Sequence, residues 1–257
     1  MTGRRRLVVA NWKMHKGPGE AAALATAVAA RLAGLATAAG APEVVLCPPS
    51  ISFIEVCNAL LDSDIQVGSQ NAHWEIEGAF TGEISPSMIL TAGGTHTILG
   101  HSERRQLFAE SDAMVNLRLR AAMAVGLAPI LCCGESLEQR ESGEFAGYIL
   151  GQIDAALADV EGDAVHGVTL AYEPIWAIGT GVTASASQAQ EVHRLIRLAL
   201  AKRIGADAAA HVRILYGGSI KPENAGELFA QEDIDGGLVG GASLDPDSFA
   251  AIVAAGG

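Results

Sequence analysis

Eight short apolar runs recur along the 257-residue chain, at residues 7–10, 44–47, 65–68, 95–99, 127–132, 168–172, 212–216 and 237–239. Within each run apolar and polar positions do not alternate, which predicts strands buried on both faces. Between the runs the apolar residues return at helical spacing, over residues 20–33, 51–61, 86–92, 104–124, 137–160, 186–204, 222–229 and about 246–253. No linker rich in Pro, Gly or Ser and no shift of composition divides the chain. Eight strand–helix units in about 250 residues predict an α/β fold, a closed (β/α)8 barrel of parallel strands forming one domain over residues 1–257. The competing architecture is a doubly wound open sheet, which usually has fewer strands in this order.

A barrel of this kind carries its functional residues just past the C-terminal ends of its strands. Those positions hold Asn11 and Lys13, Asn71, His101, Glu173, Ser219, and the pair Gly240-Gly241. The set contains one cation, one imidazole, one carboxylate and loops able to expose backbone. The stretch 171–184 is the densest part of it. Pro174 biases Glu173 towards extended geometry, at the last position of a strand. Trp176 then anchors a loop containing Gly179 and Gly181, and a helical pattern resumes near Ser185. A lone carboxylate beside a hinged loop is where α/β folds place a catalytic base. The competing reading is a carboxylate that caps or solvates a turn.

Charge narrows the choice of partner. Seventeen Lys and Arg against 29 Asp and Glu leave a formal net charge of −12. That argues against nucleic acid, whose affinity rests on neutralising phosphates. An anionic substrate must instead be held by local devices. Arg4-Arg5-Arg6 is followed by no apolar run of signal-peptide or membrane length, so no membrane partner and a cytoplasmic location are expected. Cys47, Cys57, Cys132 and Cys133 show no CxxC spacing and fit buried roles in a reducing compartment.

Six segments together resemble triosephosphate isomerase, in order and over essentially the whole chain. They are Asn11-Trp12-Lys13-Met14, the loop segment 78–85, Gly100-His101-Ser102-Glu103-Arg104-Arg105, the stretch 171–184, Tyr216-Gly217-Gly218-Ser219, and 238–243. Three positions depart from the family pattern. His15 stands where Asn is more frequent and is expected to tune Lys13. Val182 stands where Lys is frequent, at a loop hinge. Gly237 stands where a bulkier apolar residue is usual, a matter of barrel packing.

The resemblance implies a TIM barrel that interconverts dihydroxyacetone phosphate and D-glyceraldehyde 3-phosphate in glycolysis and gluconeogenesis. Moving a proton between adjacent carbons through an enediol(ate) needs a base, which Glu173 resembles; burial in a dry site raises a carboxylate's pKa. It needs an electrophile beside the substrate oxygens, which His101 resembles, just ahead of a helix start whose dipole disfavours imidazolium. A neutral imidazole in this role is a known property of the family and is adopted as such. Lys13 resembles the cation for phosphate and oxyanion charge, Glu103 its partner between turnovers, and Asn11 the residue that orients the oxygens. Gly179, Ser219, Gly240 and Gly241 are the implied phosphate-binding backbone, since glycine lets amides approach oxygens closely. No cofactor or metal is implied, because the proton and both electrons stay within the substrate.

The resemblance also makes residues 177–181 a lid, latched by Tyr216 and Ser219, that keeps the enediolate from expelling phosphate. The long loop from Ala72 to Ser85, with Phe80 and Thr81 at its tip, implies a homodimer in which it docks into the partner. A sister isomerase on a longer sugar phosphate and a catalytically silent barrel kept for binding are the competing functions. The intact Lys13, His101 and Glu173 argue against the latter.

Other motifs read more plainly. Gly179-Thr180-Gly181-Val182-Thr183-Ala184 fits a dinucleotide fingerprint but does not directly follow a strand, and Asp207 follows a helix. His73, His96, His166, His193 and His211 form no ligand pair on one helix face and read as surface or structural. Cys132 and Cys133 are expected to point to opposite faces of their strand. Glu135 reads as a brace for the lid or a structural ion pair, and Arg104-Arg105 as ion-pair elements of a helix start.

Overall fold

The structure is a computed structural model, and it describes residues 4–34, 40–178 and 184–257. Eight strands close into a barrel in sequence order: β1 (Leu7–Asn11), β2 (Glu43–Cys47), β3 (Gln66–Ser69), β4 (His96–Leu99), β5 (Ala128–Cys133), β6 (Thr169–Tyr172), β7 (Ile214–Tyr216) and β8 (Gly236–Val239). Every neighbouring pair is parallel, and β8 returns to β1 from Leu7↔Gly236 to Ala10↔Val239.

The strands are apolar on both faces because each face meets a separate core. Leu7, Val9, Ile130, Cys132, Leu215 and Leu238 fill the barrel interior. Their neighbours Val8, Ala10, Leu131, Cys133, Ile214 and Val239 pack outward beneath the helices. Cys132 and Cys133 thus divide between the two cores, as a strand's two-residue period requires. All four cysteines are free thiols.

Closure depends on one glycine. Gly236 has φ +136°, and a Cβ there would lie 1.9 Å from the Leu7 carbonyl oxygen. At Gly237 a Cβ would lie 2.4 Å from Ile220 Cδ1 and 3.4 Å from the Phe229 ring. Ile220 and Phe229 therefore fill the space that a side chain at 237 would need.

Helices Ala186–Ile204 and Pro222–Phe229 form over the expected residues. The first has clear punctuation: Ser185 Oγ accepts from Gln188 N–H, Gln188 Oε1 accepts from Ser185 N–H, and Gly205 ends it at φ +88°. Two expected long helices are each broken in two. Residues 104–124 form Ser102–Leu107 and Asp112–Ala124, with Ala109 at φ +53° and Ser111 capping the second. Residues 137–160 form Leu137–Glu141 and Phe145–Ala156, separated by Gly143 at φ +79°. The segment 51–61 begins as a 3-10 turn, Ser50–Ser52, before the helix Phe53–Ala59. A short helix, Ala206–Ala209, has no counterpart among the expected elements. Among the described residues no helix is long and apolar enough to cross a membrane.

Candidate active site

The parallel strands bring their C-terminal ends to one rim, and a cavity of about 420 Å³ opens there. Asn11, Lys13, His101, Glu173, Ser219, Gly240 and Gly241 all line it. Gly179 lies outside the described residues, as do Thr180 to Thr183. Glu103, half-buried beside the cavity, reaches in through Lys13.

Glu173 directly follows β6, and its N–H continues the ladder to the Cys133 carbonyl at 2.7 Å. It sits in a slot made by two glycines. A Cβ on Gly134 would lie 1.8 Å from the Glu173 carbonyl oxygen, and one on Gly217 2.9 Å from Glu173 Cγ. The carboxylate is almost fully buried. Oε2 accepts the Ser102 N–H at 2.9 Å, and Oε1 lies 2.9 Å from His101 Nε2.

His101 follows β4 and caps the helix Ser102–Leu107, its Nδ1 accepting the Glu103 N–H at 3.2 Å. A ring nitrogen that accepts a hydrogen bond carries no proton, so this bond assigns the proton to Nε2. Burial pulls the imidazole down and the Glu173 carboxylate pulls it up; beside the carboxylate it is held above its ordinary value. Burial likewise pushes Glu173 up, but His101, the Ser102 N–H and Lys13 together hold it below the usual carboxylate range. Two expectations are thus corrected for this arrangement: His101, the Ser102 N–H and Lys13 outweigh the desolvation that was expected to raise Glu173, and the Glu173 carboxylate outweighs the burial and helix start that were expected to disfavour the imidazolium of His101.

Lys13 takes a left-handed backbone, φ +49°, uncommon for a residue with a side chain. Its N–H donates to Asn11 Oδ1 at 3.0 Å. Gln70 Nε2 donates to its carbonyl at 2.8 Å and to the Cys47 carbonyl at 2.9 Å. These bonds fix the turn and leave Nδ2 as the group that Asn11 can offer a ligand. Lys13 Nζ pairs with Glu103 Oε1 at 2.5 Å. The Lys13 stem also runs beside Gly240, whose Cβ position would lie 3.4 Å from Lys13 Cε. His15 is exposed and makes no hydrogen bond or ion pair among the described residues, so no contact carries the tuning of Lys13 expected of it.

On the far strands, Asn224 Nδ2 donates to the Ser219 carbonyl at 3.1 Å, and Ser243 Oγ to the Gly240 carbonyl at 2.6 Å. They hold both segments at the rim. Glu135, fully buried, accepts from Tyr172 Oη at 2.9 Å and from Trp176 Nε1 at 3.0 Å, with Arg140 3.8 Å away. It therefore anchors Trp176, just ahead of the residues expected to form the lid. Tyr216 Oη is buried and has no partner among the described residues. Arg104 and Arg105 pair with Glu110 and Asp112, structural roles as expected. Asn71, a post-strand residue, does not line the cavity; its Oδ1 accepts from Arg118.

Sequence reasoning missed Gly134, Gly217 and Lys221. The glycines directly follow β5 and β7, which is a signal. Lys221 lies two residues beyond Ser219 and lines the same cavity.

The triosephosphate isomerase family model matches residues 6–256. Triosephosphate isomerase of Chloroflexus aurantiacus is 50% identical over 247 residues, covering 96% of this chain and 97% of that protein. That of Chlorobium phaeovibrioides is 49% identical, covering 98% and 99%. That of Lactiplantibacillus plantarum is 46% identical, covering 97% and 98%. The chain belongs to the triosephosphate isomerase family. With membership goes the isomerisation of triose phosphates, a step of glycolysis and gluconeogenesis. In this member of the triosephosphate isomerase family, the imidazole and carboxylate meet at one wall of the cavity, and Lys13 reaches it beside Gly240.

Proposed function

We propose that Glu173, His101, Lys13, Asn11 and Glu103 carry out the interconversion of dihydroxyacetone phosphate and D-glyceraldehyde 3-phosphate, with Gly179, Ser219, Gly240 and Gly241 holding the phosphate and no cofactor or metal taking part. The whole chain acts as one catalytic domain. The observation that carries the reading is the contact of Glu173 with His101, 2.9 Å, inside a cavity also lined by Lys13.

Both oxygens of Glu173 are engaged, so the carboxylate must leave Ser102 N–H and His101 to reach a substrate carbon. That departure changes both groups usefully. Glu173 loses the partners that lower it, while burial continues to push it up, so it becomes a stronger base. His101 loses the carboxylate that raises it most, and burial, Lys13 and the Glu103 N–H bond then favour the neutral ring over the pull of the Glu103 carboxylate. Its Nε2–H is then free to donate to the oxygens on the reacting carbons, shuttling charge as the enediolate forms. Lys13 balances the phosphate and oxyanion charge, Glu103 aligns it between turnovers, and Asn11 Nδ2 orients the oxygens.

The active form is a homodimer joined through the loop from Ala72 to Ser85. Its base is pinned by His73 N–H to the Ile84 carbonyl, 2.9 Å, and Phe80 packs on the His73 ring at 4.4 Å. Thr81 is exposed, and so are Met14, Ile54, Ile76 and Met88, apolar side chains available to such an interface. A second cavity of about 460 Å³, lined by Phe53, Ile54 and Ile84, is of a size to accept the tip side chains of such a loop. The setting is the cytoplasm, with no nucleic acid or membrane partner.

A coupled assay starting from D-glyceraldehyde 3-phosphate tests the reading, with Lys13→Met and His101→Gln beside the wild type. Lys13→Met is expected to lose both turnover and affinity for a planar enediolate mimic, because its charge acts in ground and transition states. His101→Gln is expected mainly to slow chemistry. Unchanged affinity for the mimic in Lys13→Met sinks the assignment.

A further inference from the structure

Two cations line the cavity among the described residues, and their surroundings differ. Lys13 is neutralised by Glu103 at 2.5 Å. Lys221 is exposed, and its ammonium makes no ion pair or hydrogen bond among the described residues. Its backbone is fixed all the same. Lys221 N–H donates to Asn224 Oδ1 at 2.8 Å, and the same Asn224 side chain donates to the Ser219 carbonyl. One side-chain amide thus ties Lys221 to the segment assigned to the phosphate. Pro222 follows and starts the helix Pro222–Phe229, which fixes the direction of the chain as it leaves the rim.

We propose that Lys221 is a second phosphate-recognising cation of this site, acting on substrate capture and not on proton transfer. The proposal rests on the reading of the cavity as a triose phosphate site and extends it to a residue outside the proton-transfer set. A protein of net charge −12 repels a dianion at long range. The attraction available at the mouth comes from charge not already cancelled by a neighbour, and among the lining residues that charge is on Lys221. A lysine ammonium on a flexible stem is a hydrated point charge, able to meet a phosphate and release it without a fixed geometry. Such an interaction is made equally with substrate and transition state, so it acts on KM and leaves kcat. It is also exposed, so salt screens it: the Debye length falls from about 30 Å at 0.01 M to about 3 Å at 1 M.

The test compares wild type, Lys221→Gln and Lys221→Arg at about 10 mM ionic strength and in about 0.5 M NaCl. Two readouts are used: kcat and KM for D-glyceraldehyde 3-phosphate, and the Kd of inorganic phosphate by calorimetry. Lys221→Gln is expected to lower kcat/KM about threefold to tenfold at low salt, through KM, and to weaken phosphate in parallel. The difference is expected to shrink below about twofold in the high-salt buffer, and Lys221→Arg to behave as wild type. Unchanged kcat/KM and phosphate affinity at low salt overturn the proposal. So does a loss that falls in kcat, persists at high salt and is not rescued by Arg, since that marks a structural role. Wild-type turnover in the same preparations judges the isomerase reading separately, and the phosphate titration judges Lys221 whether or not turnover is found.

Discussion

Glu173 illustrates how a single side chain is positioned by residues that do no chemistry. Its place at the end of a strand was legible from the apolar run 168–172 that leads into it and from Pro174 that follows. The slot that receives it was not, because the need for glycine at 134 arises from a backbone oxygen 39 positions away in sequence that only the barrel brings within 1.8 Å of where a Cβ would stand. Gly134→Ala is therefore expected to push the Glu173 backbone aside while most of the barrel still forms. A displacement of about 1 Å at a reacting group costs on the order of a hundredfold in rate. Steady-state kinetics check this: a kcat loss of about that size with little change in phosphate affinity is expected, and a kcat within about threefold of wild type contradicts the slot's role. The pairing of Lys13 with Glu103 was expected from family resemblance. The left-handed turn that aims Lys13 was not, since nothing local marks a lysine for φ +49°.

At the scale of elements, all eight strands and most helices were readable because burial on two faces and helical periodicity are strong local signals. The places where reading failed are breaks inside periodic stretches. Ser111 and Gly143 punctuate patterns that continue across them, and the apolar spacing alone joins what the turns separate. The stretch after β6 joins element to function. Its first residues are tied down through Trp176 and Glu135, while Gly179 to Thr183 lie outside the described residues. The enediolate carries phosphate one carbon from its electron-rich double bond, and free in water it can collapse to methylglyoxal. Deleting residues 178–181 is expected to leave the circular dichroism of the barrel unchanged and to lower isomerisation by several orders of magnitude. Methylglyoxal and released phosphate should rise as a share of turnover. A slow variant that forms no extra methylglyoxal removes the protective role.

At the scale of the molecule, stability and assembly follow from what is buried and what is left exposed. His193 is fully buried between Tyr172 and Tyr216, with its Nδ1 2.7 Å from the Ala189 carbonyl oxygen. Burial, opposed by that carbonyl and by Asp235, brings its pKa down to about 4 from an ordinary 6.5. A lowered pKa in the folded state contributes stability that is present above pH 6.5 and is lost as pH falls towards about 4, because the unfolded chain binds the proton first. The loss attributable to His193 is about 3 kcal/mol across that window. Urea unfolding of wild type and His193→Gln at pH 7.5 and pH 4.5 checks it. The variant is expected to be less sensitive to acid, and an identical pH slope contradicts the assignment. His96, at the opposite end of the barrel beside Glu43, is also brought down to about 4 by burial and adds to the wild-type slope. Assembly has its own test. Sedimentation at micromolar concentration is expected to give the mass of two chains, and a fully active monomer contradicts the role given to the loop from Ala72 to Ser85.

The most direct test of the central claim, that Glu173 takes a carbon-bound proton and returns it, is deuterium incorporation during turnover in D2O. A proton held on a carboxylate exchanges with solvent, whereas a hydride passed directly between carbons does not. Wild type is expected to give product with carbon-bound deuterium. Glu173→Gln is expected to lose at least about a thousandfold in kcat, roughly 4 kcal/mol of transition-state stabilisation, and its deuterium incorporation with it. Rapid turnover by the wild type with no deuterium in the product, or by Glu173→Gln at more than about a tenth of the wild-type kcat, contradicts the assignment of the base.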